Sequence, residues 1–143
     1  MGIGNPSRRD DGVGLRVVEL LKERRLGGVL LLETETVPES YTGSIRDYSP
    51  THVLLIDAAQ FRGEPGEGRM IPQQLIGNVT ASTHSIPLDV LMGYIRKSIC
   101  DKVALLGIQV AETKMGVGFT HCVEEGAKEI AATIYDVLKN EAV

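Results

Sequence analysis

From Val13 the chain reads VGLRVVELLKERR, and Val13, Val17, Leu20 and Leu21 recur at the spacing of one helix face with charges opposite. Gly27 and Gly28 supply the stop. VLLLET, Val29 to Thr34, is too continuously apolar for a half-exposed strand and predicts one buried on both faces. The segment from Pro38 to Asp47 has room for a short helix, which Pro50 breaks. THVLLIDAA predicts a second buried strand, ending at Asp57. The glycines and Pro65 of FRGEPGEGRMI predict a turn, with a short edge strand at Arg69 to Ile71. In STHSIPLDVLMGYIRKSI, Ser82, Thr83 and Ser85 are candidate caps, Asp89 falls in the first turn, and Leu88, Leu91, Met92 and Ile95 share a helix face. KVALLGIQV predicts a third strand, and a glycine-bearing loop from Ala111 to Phe119 leads to a last helix starting near Thr120. That helix would bury Ala127, Ile130, Ala131, Ile134 and Leu138. Strand and helix alternate without hairpin chemistry between the main strands. The expected fold is therefore α/β, a twisted and mainly parallel sheet in three layers with helices on both faces.

The 143 residues suit one domain, residues 1–143, with no repeat, linker or low-complexity stretch. A net charge of −4, spread along the chain, argues against nucleic acid and against an anionic membrane surface. No apolar run approaches the roughly 20 residues of a membrane span. The opening carries no basic and apolar secretory signal, and Cys100 and Cys122 form no CxxC pair. A cytoplasmic protein with both thiols packed in the core is expected.

In sheets of this kind ligands sit beyond the carboxyl ends of the strands. Three polar positions fall there. Asp10 and Asp11 stand where the opening loop enters the first helix; one of the pair is free to cap while the other points into the crevice. Asp57 terminates a buried strand, where it would either serve the site or bind nearby backbone amides. His84 lies in the loop entering the third helix, as a rim residue or a plain surface one. Two carboxylates and an imidazole suit a borderline divalent ion such as nickel, zinc or iron, and three ligands leave coordination positions open. His52 and His121 read as surface or packing residues. No G-x-S-x-G elbow presents a serine, and His121 and Cys122 are adjacent rather than facing. The opening GIGN lacks the third glycine of a dinucleotide fingerprint, and Asp10 and Asp11 would repel phosphate. A nucleotide-binding α/β module is thus the weaker alternative.

GIGNPSRRDDGVG resembles the opening signature of the hydrogenase maturation proteases. VPES, LLIDAA with PGEGRMI, STHSIPLDVL and LLGIQV resemble four further family segments in the same order. The resemblance spans nearly the whole chain. It implies a metal-contacting and catalytic triad of Asp11, Asp57 and His84. It also implies removal of a C-terminal extension from the large-subunit precursor of a nickel–iron hydrogenase, after nickel insertion. The nickel would arrive with the substrate on cysteine thiolates, and a carboxylate and imidazole set would read it without removing it. Metal should bind the free protein weakly, no organic cofactor is expected, and the chain should act as a monomer. The alternative is a protein that grips nickel or the large subunit without cutting.

Two departures stand out. Where the family usually has glycine before the aspartate pair, this chain has Arg9, preceded by Arg8. The sequence also opens inside the loop that should follow a first strand, so that strand reads as truncated and a longer biological chain is expected. Otherwise VLLLET would pair directly with THVLLID, displacing Asp11 from the rim.

Overall fold

A computed structural model describes residues 1–80 and 86–141. Five strands form one sheet: β1 (Gly2–Ile3), β2 (Glu33–Glu35), β3 (His52–Ala59), β4 (Gly68–Met70) and β5 (Lys102–Gln109). Their order is β2-β1-β3-β5-β4, parallel except for the antiparallel edge strand β4. The helices are α1 (Val13–Lys22), α2 (Thr42–Tyr48), α3 (Ile76–Val79), α4 (Leu88–Ser98) and α5 (His121–Glu141).

Alternation along the buried strands sorts the core into two layers. Val53 and Leu55 of β3 and Leu105 of β5 pack with Ile45 of α2, Ile76 of α3 and Leu88, Leu91, Met92 and Ile95 of α4. Ile56, Ala58 and Ile108 face the other way, onto Val13, Val17 and Leu21 of α1 and Val123, Ala127 and Ala131 of α5. Each Val, Leu, Ile or Met among them contributes roughly 1.5–3 kcal/mol on burial. The predicted face of α4 is buried throughout, but Leu20 of α1 and Ile130, Ile134 and Leu138 of α5, expected inside, are only partly buried, while Val123 is buried in their stead; the sheet is covered on both sides.

Further expectations need correction. VLLLET gives only Glu33–Glu35 as strand, because β1 pairs with it from Gly2 onward (Gly2 with Glu33): the Leu32 carbonyl accepts from the Gly2 amide at 2.7 Å, and Val29 to Leu31 pair with no β1 residue. β1 nevertheless lies between β2 and β3, so VLLLET does not pair with THVLLID. β3 runs two residues past Asp57, paired to β5 as far as Ala59 with Gln109. Cys122 is exposed and Cys100 only half-buried; Cys122 sits on the outer side of α5, whose neighbouring Val123, Gly126 and Ala127 turn inward.

The chain start is held tightly. The Met1 amino group donates to the Leu54 carbonyl at 2.9 Å, and burial lowers its pKa to about 5. At Gly14, α1 rests directly on the sheet: a Cβ there would stand 2.5 Å from the Ile3 carbonyl oxygen and closer still to that of Ile56.

Candidate active site

Asp57 follows Ile56, the β3 residue paired with Gly2, and so stands beside the carboxyl end of β1. It is fully buried, and its Oδ1 accepts from the Ala58 amide at 2.8 Å. By strand alternation it shares the face of Val53 and Leu55, the side covered by α4. Asp11 reaches the same edge by another route. After β1 the chain turns at Asn5 and makes a 3-10 turn, Arg9–Gly12, that packs on β3 and runs straight into α1. Asp11 is 5% exposed, and its Oδ2 accepts from the Asn5 amide at 3.0 Å. With Oδ2 held there, Oδ1 has no hydrogen-bond partner among the described residues and could accept a proton or bind a cation. Neither aspartate of the pair caps α1, whose N-cap is Gly12 with no side-chain bond.

Asp10 does different work. It is wholly buried, and it accepts from the Thr120 amide at 2.8 Å, the Thr120 hydroxyl at 2.9 Å, and the Ala111 and Glu112 amides at 3.0 and 2.9 Å. Thr120 immediately precedes α5, so this carboxylate sits where a helix N-terminus favours negative charge. Above it, the Arg9 amide donates to Gly116 O and the Gly116 amide donates to Ser7 O. The opening loop and the loop after β5 are thereby zipped together, and Asp11 is fixed by the residue before it.

Gln109 is a rim residue that sequence reasoning did not single out. At the end of β5 and 4% exposed, its Oε1 accepts from the Phe61 and Gly63 amides, while its Nε2 donates to Gln60 Oε1 and Val110 O. It sets the course of the chain leaving β3. The available signal was an amide closing a buried apolar strand, since a side chain with both donors and acceptors there needs backbone partners.

Arg16 and Glu124 lock α1 to α5 through Nη2–Oε1 at 2.8 Å and Nε–Oε1 at 3.1 Å. The hydrogen bond to Glu124 raises the Arg16 pKa above its ordinary value. His84, with the candidate caps Ser82, Thr83 and Ser85, lies outside the described residues. Among the described residues no three His, Cys, Asp or Glu side chains are grouped to hold a metal ion. Asp11 and Asp57 therefore supply two carboxylates at one edge. His52 and His121 are exposed. No helix among the described residues is long and apolar enough to cross a membrane.

A family model described as HycI, hydrogenase maturation protease, matches residues 15–137. A putative hydrogenase maturation protease of Methanocaldococcus jannaschii is 36% identical over 117 residues, covering 76% of this chain and 69% of that protein. The hydrogenase 3 maturation protease of Escherichia coli K12 is 30% identical over 138 residues, covering 96% of this chain and 85% of that protein. The crystal structure of the NiFe hydrogenase maturation protease HycI from Thermococcus kodakarensis KOD1 superposes with a TM-score of 0.85 at 36% identity, covering 96% of this chain and 89% of that one. A family model and relatives that match along most of the sequence, with a superposable α/β fold, make this chain a peptidase that belongs to the hydrogenase maturation protease family.

Proposed function

We propose that this chain cuts the C-terminal extension from a nickel-loaded large-subunit precursor of a nickel–iron hydrogenase. The observation that carries the reading is the buried pair Asp11 and Asp57 at the carboxyl edge of neighbouring parallel strands, each anchored through one carboxylate oxygen by a backbone amide. Anchoring fixes the carboxylates before substrate arrives, so little ordering remains at the moment of reaction.

The nickel belongs to the precursor. Carboxylates are weaker partners for it than thiolates, so Asp11 and Asp57 would recognise the ion in place on its cysteines. His84 is proposed as the third contact. Once engaged, the ion supplies Lewis acidity and fixes the scissile bond relative to the carboxylates. Asp11, with only Oδ2 engaged by the Asn5 amide, would accept a proton from an attacking water. Water adds to the scissile carbonyl, the amide nitrogen leaves with a proton, and two shorter chains result.

The test is to incubate the protein with nickel-loaded and with nickel-free precursor and follow the large subunit by mass. Cleavage of the loaded form alone is expected. Cleavage of both forms, or of neither, refutes the reading. Calorimetry on the free protein should show nickel bound well short of nanomolar affinity; nanomolar binding would indicate a permanently metallated enzyme instead.

A further inference from the structure

The segment immediately before the aspartate pair is held in a conformation its residues do not favour. Arg9 has φ 47°, in the left-handed region where a Cβ is disfavoured, and glycine would occupy that position without strain. The strain is sustained by the bonds of Arg9 N to Gly116 O at 3.2 Å, Gly116 N to Ser7 O at 2.9 Å and Arg8 Nε to Thr113 O at 3.0 Å. Strained residues held by over-determined surroundings cluster at ligand clamps. Here the result is to lay the Arg9 side chain across Gly116, where an added Cβ would stand 2.8 Å from Arg9 Nε.

On either side of Gly116 stand Met115, 74% exposed, and Val117, 89% exposed, the most exposed large apolar side chains among the described residues. Lys114 is exposed beside them. The Arg8, Arg9 and Lys114 side chains make no ion pair among the described residues, the carboxylate contact there being that of the Lys114 amide to Glu112 Oε1 at 2.9 Å, although the chain as a whole carries a net charge of −4. Cations without ion-pair partners and bare apolar side chains thus meet where the opening loop joins the loop after β5, with Arg9 two residues from Asp11.

We infer that Arg9, Met115 and Val117 form a seat for the extension of the precursor, binding a stretch in which an acidic side chain neighbours an apolar one. The planar guanidinium takes the carboxylate in a paired geometry, and Met115 and Val117 take the apolar neighbour. The charge complementarity selects this occupant, because an apolar partner alone would leave three cations unmatched. The inference rests on the proposed cleavage of such a precursor. Arg9 acts in substrate positioning, so its removal acts on KM.

The test compares wild-type protein with Arg9→Gly, Arg9→Glu and the double variant Met115→Ser with Val117→Ser. Lys97→Glu, at the far end of α4, is a control for net charge. Steady-state cleavage of nickel-loaded precursor and equilibrium binding of the same precursor are both measured. Arg9→Gly should melt no lower than wild type and raise KM about fivefold, and Arg9→Glu should raise it about tenfold or more, with kcat within about twofold. A precursor in which the acidic residue is changed to lysine should recover binding to Arg9→Glu. Lys97→Glu should behave as wild type. Wild-type KM or affinity in both Arg9 variants, or a loss confined to kcat, overturns the seat. If wild type binds precursor without cutting it, the proposed activity falls, while a binding loss in Arg9→Glu still supports the seat.

Discussion

Replacing Gly14 with alanine sets two effects against each other. Gly14 lies in the first turn of α1, and helix propensity alone favours alanine there by about 0.8–1 kcal/mol. The new methyl, however, would stand 2.5 Å from Ile3 O and nearer to Ile56 O, both backbone atoms of neighbouring sheet strands. An ordinary contact needs roughly 1 Å more, and neither carbonyl can rotate aside as a side chain would. Overpacking of this kind costs about 1–3 kcal/mol, and rigid neighbours place it at the upper end. The net expectation is destabilisation by about 2 kcal/mol. A 143-residue chain shifts by roughly 3 °C per kcal/mol, so Tm should fall by about 6 °C. Gly93→Ala is the matched control: it lies inside α4, a Cβ there meets nothing within 4 Å, and Tm should rise by about 3 °C. Because α1 carries the Arg9–Gly12 turn, the folded Gly14→Ala protein should also cleave more slowly, by up to about a hundredfold. Calorimetric melting followed by precursor cleavage checks both parts. A Gly14→Ala protein melting at or above wild type would refute the reasoning, since propensity would then outweigh contact.

Asp10→Asn removes acceptor capacity from a carboxylate holding four donors and should lower stability by about 3 kcal/mol, whereas Asp11→Asn keeps its bond to Asn5. Chemical denaturation should separate the two, while cleavage should fall by about a hundredfold or more in Asp11→Asn and Asp57→Asn at near-normal stability. A double-mutant cycle on Arg16 and Glu124, both about a quarter exposed, should give a coupling of about 0.5–1 kcal/mol that shrinks in high salt. In the 143-residue chain, the buried Met1 amine keeps a pKa of about 5 against 8.0 unfolded, so the unfolded chain binds the extra proton between those values. Stability should therefore be full above pH 8 and decline towards pH 5, by an amount on the order of 4 kcal/mol; acetylating that amine should flatten the slope in urea titrations at stepped pH.

The elements legible in the sequence are those whose apolar pattern is local and long. The apolar runs Val53 to Asp57 and Lys102 to Gln109 and the helical stripe of Leu88, Leu91, Met92 and Ile95 are each signalled by their own residues, and all three fall in the expected elements, with β3 running on to Ala59. VLLLET failed because a ladder needs a partner, and the length of β1 is not written in residues 29–34. Asp57 was legible from the strand that carries it. The division of labour between Asp10 and Asp11 was not, because it depends on amides 101 to 110 positions away. Gln109 escaped for the same reason, its partners lying 46 and 48 residues back on the chain leaving β3. Arg9 was visible as a departure from the family pattern, but only its backbone angle explains why glycine suits the position.

The Asp10 clasp also orders events in time. Its acceptor is made 101 to 110 residues before its donors, Ala111, Glu112 and Thr120. Until that late stretch has left the ribosome, the carboxylate has no amides to hold and the turn bearing Asp11 is not locked against the sheet. A chain still being made, or one cut short before Thr120, therefore carries every carboxylate of the pair at the rim yet lacks the device that aims them. The pair is therefore aimed only once residues 111–120 have been made and have folded back onto the opening loop.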